Sequence, residues 1–170
     1  MRLITPPEPC IYKYKEVPLF LAGGIQKCSE WQKEVISELE KRNLEKLVVL
    51  NPKRENFPIG NPNAAEEQIK WEYYALNTCD IFTMYFDESE SDQPICMYEL
   101  GRHLVLMREK YPFTWQDRII VTANPKYKRY LDVIIQTGLA TNDRIKINTS
   151  LEEHIEAIVS SYIKAKECNK

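Results

Sequence analysis

Residues 18–24 read Pro18-Leu-Phe-Leu-Ala-Gly23-Gly24, a short unbroken apolar run halted by two residues that tolerate unusual backbone angles. The pattern is that of a buried strand opening into a tight turn. Two runs of the same kind follow, Leu47-Val-Val-Leu50, stopped by Asn51-Pro52, and Ile81-Phe-Thr-Met-Tyr-Phe86. Residues 119–122 and 145–147 read as a fourth and a fifth strand. Helical spacing fills the intervals. Behind a capping box of Ser29 and Gln32, apolar residues recur at Trp31, Val35, Ile36 and Leu39. Asn61-Pro62 opens a second helix carrying Ile69, Tyr73 and Leu76 on one side. Pro94 starts a third, over residues 94–109. Residues 126–137 form a fourth, closed by Gly138. Ser150 and Glu153 cap a last helix with Ile155, Ile158, Val159 and Tyr162 inward.

Strand and helix thus alternate five times, and strands that are apolar throughout suit a parallel sheet covered on both faces. Right-handed crossovers then give an α/β fold, a single doubly wound five-stranded parallel sheet in the flavodoxin-like order 2-1-3-4-5. Residues 1–17, with Pro6, Pro7 and Pro9, read as a proline-rich arm, and residues 18–170 as the domain. Ligands bind such sheets at the carboxyl ends of the strands where the order reverses, here between the first and third strands.

Composition narrows the function. The net charge of −2 disfavours nucleic acid or an anionic membrane surface as the main partner. No apolar run approaches the ~18 residues of a membrane span, and the first residues lack a signal-peptide core. Five cysteines (Cys10, Cys28, Cys79, Cys96 and Cys168) with no CxxC pair argue for reduced thiols in a cytoplasm, and against a zinc site or disulfide framework. There is neither a GxGxxG nor a GxxxxGK[ST] pattern, which disfavours ATP, GTP and dinucleotide cofactors. The acidic loop of residues 87–92 has no histidine and no regular aspartate spacing, so no metal is expected.

Glu99 is the single acid between Asp92 and Glu109, inside an otherwise apolar helix whose N-terminus faces the crevice. A carboxylate there is costly to bury unless it has donors or a task. The alternative is a structural acid paired with Arg102. Gly23-Gly24-Ile25 allows close backbone approach to a ligand. Asn51-Pro-Lys-Arg54 offers a fixed turn with two cations, able to meet an anion or orient a carboxylate. In Trp71-Glu72 either side chain can face the crevice. His103 reads as a packing residue and His154 as solvated.

In this order, Phe20-Leu-Ala-Gly-Gly-Ile25, Trp31, Asn51-Pro-Lys-Arg54, Trp71-Glu72, Cys79-Asp80-Ile81 and Tyr98-Glu99-Leu-Gly101 together resemble the nucleoside 2-deoxyribosyltransferase family, in its 2-deoxyribosyltransferase-like branch. The resemblance spans roughly residues 18–160. It implies that Glu99 is the nucleophile that attacks C1′ of a 2′-deoxynucleoside and forms a covalent glycosyl ester. It also implies that Asp92, ahead of Glu72, assists departure of the base. The backbone at Gly23, Gly24 and Ile25 approaches the nucleoside, Trp31 or Trp71 stacks on the base, and Arg54 and Tyr98 contact substrate. No cofactor is implied. The substrates are a nucleoside and a nucleobase, and the assembly is a homodimer or larger, with Asp132 or Asn124 as candidates for a residue lent to a neighbouring subunit. Relatives that hydrolyse nucleoside 5′-monophosphates hold phosphate with small hydroxyl residues. The turn here offers none before Ser29, which favours unphosphorylated nucleosides. An N-glycoside hydrolase of nucleotides or NAD-like compounds and a non-catalytic nucleotide sensor are the competing readings.

Overall fold

The computed structural model describes residues 1–89 and 91–168. In chain order its elements are β1 (Arg2–Ile4), β2 (Val17–Gly23), α1 (Trp31–Lys41), β3 (Leu47–Leu50), α2 (Ala64–Thr78), β4 (Ile81–Phe86), α3 (Pro94–Lys110), β5 (Ile119–Ala123), α4 (Tyr130–Thr141), β6 (Ile147–Asn148) and α5 (Leu151–Cys168), with a 3-10 turn at Trp115–Asp117. All strand pairings are parallel, in the order β1-β3-β2-β4-β5-β6.

The sheet therefore has six strands, not five. The added one comes from the proline-rich arm, where Arg2, Leu3 and Ile4 pair with Val48, Val49 and Leu50. Ile4 is wholly buried, and its carbonyl accepts the Asn51 N–H at 3.0 Å. The rest of the arm folds back over α2. The Trp71 indole N–H donates to the Glu8 carbonyl at 2.7 Å, and the Tyr12 hydroxyl meets Thr78 Oγ1 at 2.8 Å. Three residues followed by prolines carry too little periodicity to announce a strand; the exposed edge of β3 supplies the pairing groups instead. Replacing Ile4 with Ala is expected to cost about 2–5 kcal/mol in urea unfolding. A loss under about 0.5 kcal/mol would detach this strand from the core.

The two faces of the sheet are covered by different helices, and side-chain alternation sorts the residues between them. Phe20 and Ala22 of β2 and Phe82, Met84 and Phe86 of β4 face α2, α3 and α4. Leu19 and Leu21 of β2 and Ile81 and Tyr85 of β4 face α1 and α5. The chain reverses direction across the sheet between β2 and β4, and the register sets Gly23 beside Tyr85 at their carboxyl ends.

Several local expectations change. In α2 the buried side is Ala64, Trp71, Ala75 and Leu76, while Ile69 and Tyr73 are exposed. Trp71, pinned beneath the arm, sets the helix rotation. Helix α4 starts at Tyr130 and runs through Gly138 to Thr141, capped by Asn142 in the left-handed region (φ 51°). Ser29 and Gln32 do not cap α1. The Ser29 N–H donates to Asp87 Oδ2 at 2.6 Å and the Gln32 amide reaches the Gly24 carbonyl, so both secure the glycine turn. At α5 the Ser150 hydroxyl does accept the Glu153 N–H, at 3.2 Å. His154 is fully buried rather than solvated. It bonds Thr122 Oγ1 at 2.7 Å, and burial drives its pKa down to about 3. No helix among the described residues is long and apolar enough to cross a membrane.

Candidate functional site

At the carboxyl ends of β2 and β4 a crevice of about 350 Å³ opens, lined in part by Gly23, Gly24, Ile25, Pro52, Glu72, Gln93, Cys96 and Glu99. Each wall has a local cause. The glycine turn leaves β2 hard against its neighbours. A Cβ on Gly23 would lie 2.5 Å from both the Trp31 ring and the Tyr85 carbonyl, and one on Gly24 would strike Cys28 Sγ and stand 2.8 Å from the Gln93 amide. Trp31 holds the turn from beneath by donating its indole N–H to the Gly24 carbonyl at 2.9 Å. The obstacles differ in kind. Those at Gly23 include backbone and a packed ring, whereas those at Gly24 are side-chain ends that can turn aside. Gly23→Ala is therefore expected to lower stability by about 1–3 kcal/mol. Gly24→Ala should keep the wild-type melting temperature while weakening ligand binding severalfold, as Gln93 is pushed into the crevice. Equal melting losses in the two variants would contradict this division.

Two carboxyl groups face one another across this space. Glu99 stands in the second turn of α3, one turn past Cys96. Its carboxylate accepts no hydrogen bond from the described residues. Arg102, the expected structural partner, instead donates to Asn77 Oδ1 at 2.5 Å and lies over the Tyr73 ring. Burial first, and then the negative charge of Glu72, push the Glu99 pKa up to about 7. Glu72 is also raised by burial, but less freely. Gln68 donates to its Oε1 at 2.6 Å while holding the Pro52 carbonyl at 2.8 Å, and the charge of Arg54 favours its ionised form.

The structure thus brings together Glu99, Glu72, Gly23, Gly24 and Ile25, and leaves other expected residues elsewhere. Asp92 turns outward to an ion pair with Lys128 at 2.8 Å, which lowers its pKa. Trp31 is fully buried on the α1–α5 side of the sheet, 5.0 Å from the Tyr85 ring, and offers no face to a base. Trp71 packs 6.4 Å from Phe20 under the arm. Tyr98 is 70% exposed on the outer side of α3. Arg54 lines an adjoining cavity rather than this one. Asp132 pairs with Arg129 at 3.2 Å on α4, and Asn124 Oδ1 accepts the Lys126 N–H at 3.0 Å. His103 is a packing residue, stacked 4.3 Å from Phe82 with its ring nitrogens against the Glu99 and Leu76 carbonyls. Glu90 of the acidic loop lies outside the described residues.

Gln93 is the crevice residue that sequence reasoning passed over. It precedes α3 in the left-handed conformation (φ 48°, ψ 52°), is 4% exposed, and its Oε1 has no hydrogen-bond partner among the described residues. Its amide N–H groups are held by the Asp87 carbonyl at 3.4 Å and Ser89 Oγ at 3.1 Å. The available signal was its place immediately before Pro94 at the first helical position, on a helix already known to open at the crevice.

A doubly wound α/β domain with two half-buried carboxyl groups at its switch point has the layout of an enzyme acting on a small molecule. Comparison with curated proteins returned no match. The model of the family described as "nucleoside 2-deoxyribosyltransferase like" matches residues 16–111, from the start of β2 to the end of α3. The chain belongs to that family, and its membership points to glycosyl transfer with small nucleoside substrates.

Proposed function

We propose that the protein exchanges the nucleobase of 2′-deoxynucleosides through a covalent glycosyl ester on Glu99. The observation that carries this reading is the pairing of Glu99 with Glu72 in one crevice, with the Glu99 pKa raised to about 7. Cleavage of an N-glycosidic bond passes through an oxocarbenium-like state, and such chemistry calls for an anion at C1′ and a proton for the leaving group. A pair of carboxyl groups sharing one proton supplies both. At rest the single proton favours Glu99, the group raised further, with Glu72 ionised; in the reactive arrangement that proton has moved to Glu72 and the charge sits on Glu99. The Glu99 carboxylate bonds to C1′ as the C1′–N bond breaks, and the Glu72 proton passes to the departing base. A second base then attacks C1′, the ester bond breaks, and the proton returns to Glu72. Asp92 has no part in this scheme because its carboxylate points away from the crevice.

The test is chromatography of the purified protein with mixed 2′-deoxynucleosides, with and without a free purine base. New deoxynucleosides that appear only when base is added support transfer. Free base released without an acceptor makes the protein a hydrolase. No turnover of nucleosides or their monophosphates overturns the catalytic reading.

A further inference from the structure

The motif Asn51-Pro-Lys-Arg54 remains without a task in this scheme, and its arginine has an unusual environment. Nε and Nη2 of Arg54 are both shut off from solvent, and neither has a hydrogen-bond partner among the described residues. These two donors form one edge of the guanidinium fork, spaced to take two oxygens of a single anion side by side. A buried charged donor left unmet costs about 1–3 kcal/mol or more, so a built-in vacancy of this kind calls for an acceptor. The neighbours do not supply one. Glu30 is taken by Lys53 at 2.6 Å and Lys33 at 3.2 Å. Glu55 and Glu67 line the same cavity without reaching those two atoms. Glu72 feels the charge of Arg54, but its oxygen is held by Gln68.

Arg54 lines a cavity of about 1060 Å³ together with Thr5, Asn51 and Lys53, at the carboxyl ends of β1 and β3. Pro52, two residues earlier in the same turn, lines the crevice of Glu99. The turn is stiff, because Asn51 Oδ1 accepts the Lys53 N–H at 3.1 Å while the Asn51 N–H is fixed to Ile4. The two cavities thus share one turn, and the Arg54 charge acts on Glu72 of the crevice. The Phe57 ring lies 5.7 Å from the guanidinium carbon on the same loop and is half exposed.

We infer that Arg54 anchors a phosphoryl group of the substrate, so that the crevice serves phosphorylated rather than free nucleosides. This rests on the proposed glycosidic reading for the rest of the ligand, and it departs from the expectation drawn from a turn poor in hydroxyl groups. Lys53 of the same turn is already held by Glu30 at 2.6 Å, so the Arg54 fork is the group of this turn that meets the anion.

The test is calorimetric titration in the slow Glu99→Gln background with 2′-deoxyadenosine, its 5′-monophosphate and inorganic phosphate. The monophosphate is expected to bind roughly 10- to 100-fold more tightly than the nucleoside, the worth of a charged hydrogen-bonded pair. Arg54→Gln should bring the two to parity, and Arg54→Lys, a second variant should the first not fold, should restore part of the gap. Parity with Arg54 in place, or a preference that survives Arg54→Gln, overturns the inference while leaving base exchange intact. If neither nucleoside nor monophosphate binds, the glycosidic reading fails, and the substrate anchor fails with it. Inorganic phosphate that binds through Arg54 in that case marks a free-anion site only.

Discussion

Glu99→Gln is expected to cut turnover of the protein's nucleoside substrate by roughly 10³-fold or more, with ligand affinity within a few-fold of wild type. The amide keeps the size and hydrogen-bonding shape of the carboxyl but cannot form the ester. Two features of the site make the substitution well tolerated by the fold. The Glu99 side chain accepts no hydrogen bond from the described residues, so none is broken. Its pKa, raised by burial to about 7, also means that its charge works against folding. The sign follows from linkage: the folded state holds this proton more tightly than the unfolded chain, whose glutamate has a pKa near 4.5. The stability it confers is full below pH ~4.5 and is lost as pH rises through about 7. At pH 8 the variant should therefore be the more stable protein, by up to about 3 kcal/mol, and equal to wild type at pH 4. Stopped-assay rates and melting curves at both pH values read the two halves together. Equal turnover in the two proteins ends the nucleophile assignment. Lower stability of the variant at pH 8 contradicts the burial argument.

What the sequence disclosed follows from how strongly each feature is over-determined. The apolar runs at 18–22, 47–50 and 81–86 are short, rich in β-branched or aromatic residues and mostly bounded by Gly, Pro or Asp, which marks them as buried strands, and the doubled glycine favours a turn, so the crevice and its glycine wall were legible. Glu99 was legible because an ionisable residue amid apolar neighbours stands out in any register. Direction was harder. Trp31 carries no label for the side of the sheet it serves, and only alternation along β2 and β4 assigns it to the α1–α5 face. Asp92 and Gln93 are adjacent, yet the left-handed backbone at Gln93 sends one side chain to Lys128 and the other into the crevice. A one-residue ambiguity in a loop thus exchanges an acid for an amide. In α2 the core side is built largely from alanines, whose weak signal was outweighed by Ile69 and Tyr73, both exposed. Burial of His154 depends on Thr122 and the Tyr85 ring, partners far away in the chain.

Glu72→Gln separates the two carboxyl groups and should change the pH profile as well as the rate. In the proposed scheme Glu72 protonates the base, and losing a general acid costs about 10²- to 10⁴-fold. That scheme makes the wild-type pair active with one proton between its two members, so kcat/KM should fall as pH rises through about 7, where that last proton leaves. In the Glu72→Gln protein the like charge that helps to raise the Glu99 pKa is gone, and burial alone remains to raise it. The Glu99 midpoint then moves below 7, and no shared proton is left to lose. The weakened activity should accordingly stay level between pH 7 and 9, where the wild type declines. Gln68→Leu offers a milder version, removing the 2.6 Å hydrogen bond that favours the charged form of Glu72. The Glu72 pKa rises, the proton settles on Glu72 more readily, and the acid limb of the profile moves to higher pH. A wild-type rate that keeps climbing through pH 8 would mean that the reactive pair carries no proton, and the proton for the base would then come from water instead of Glu72.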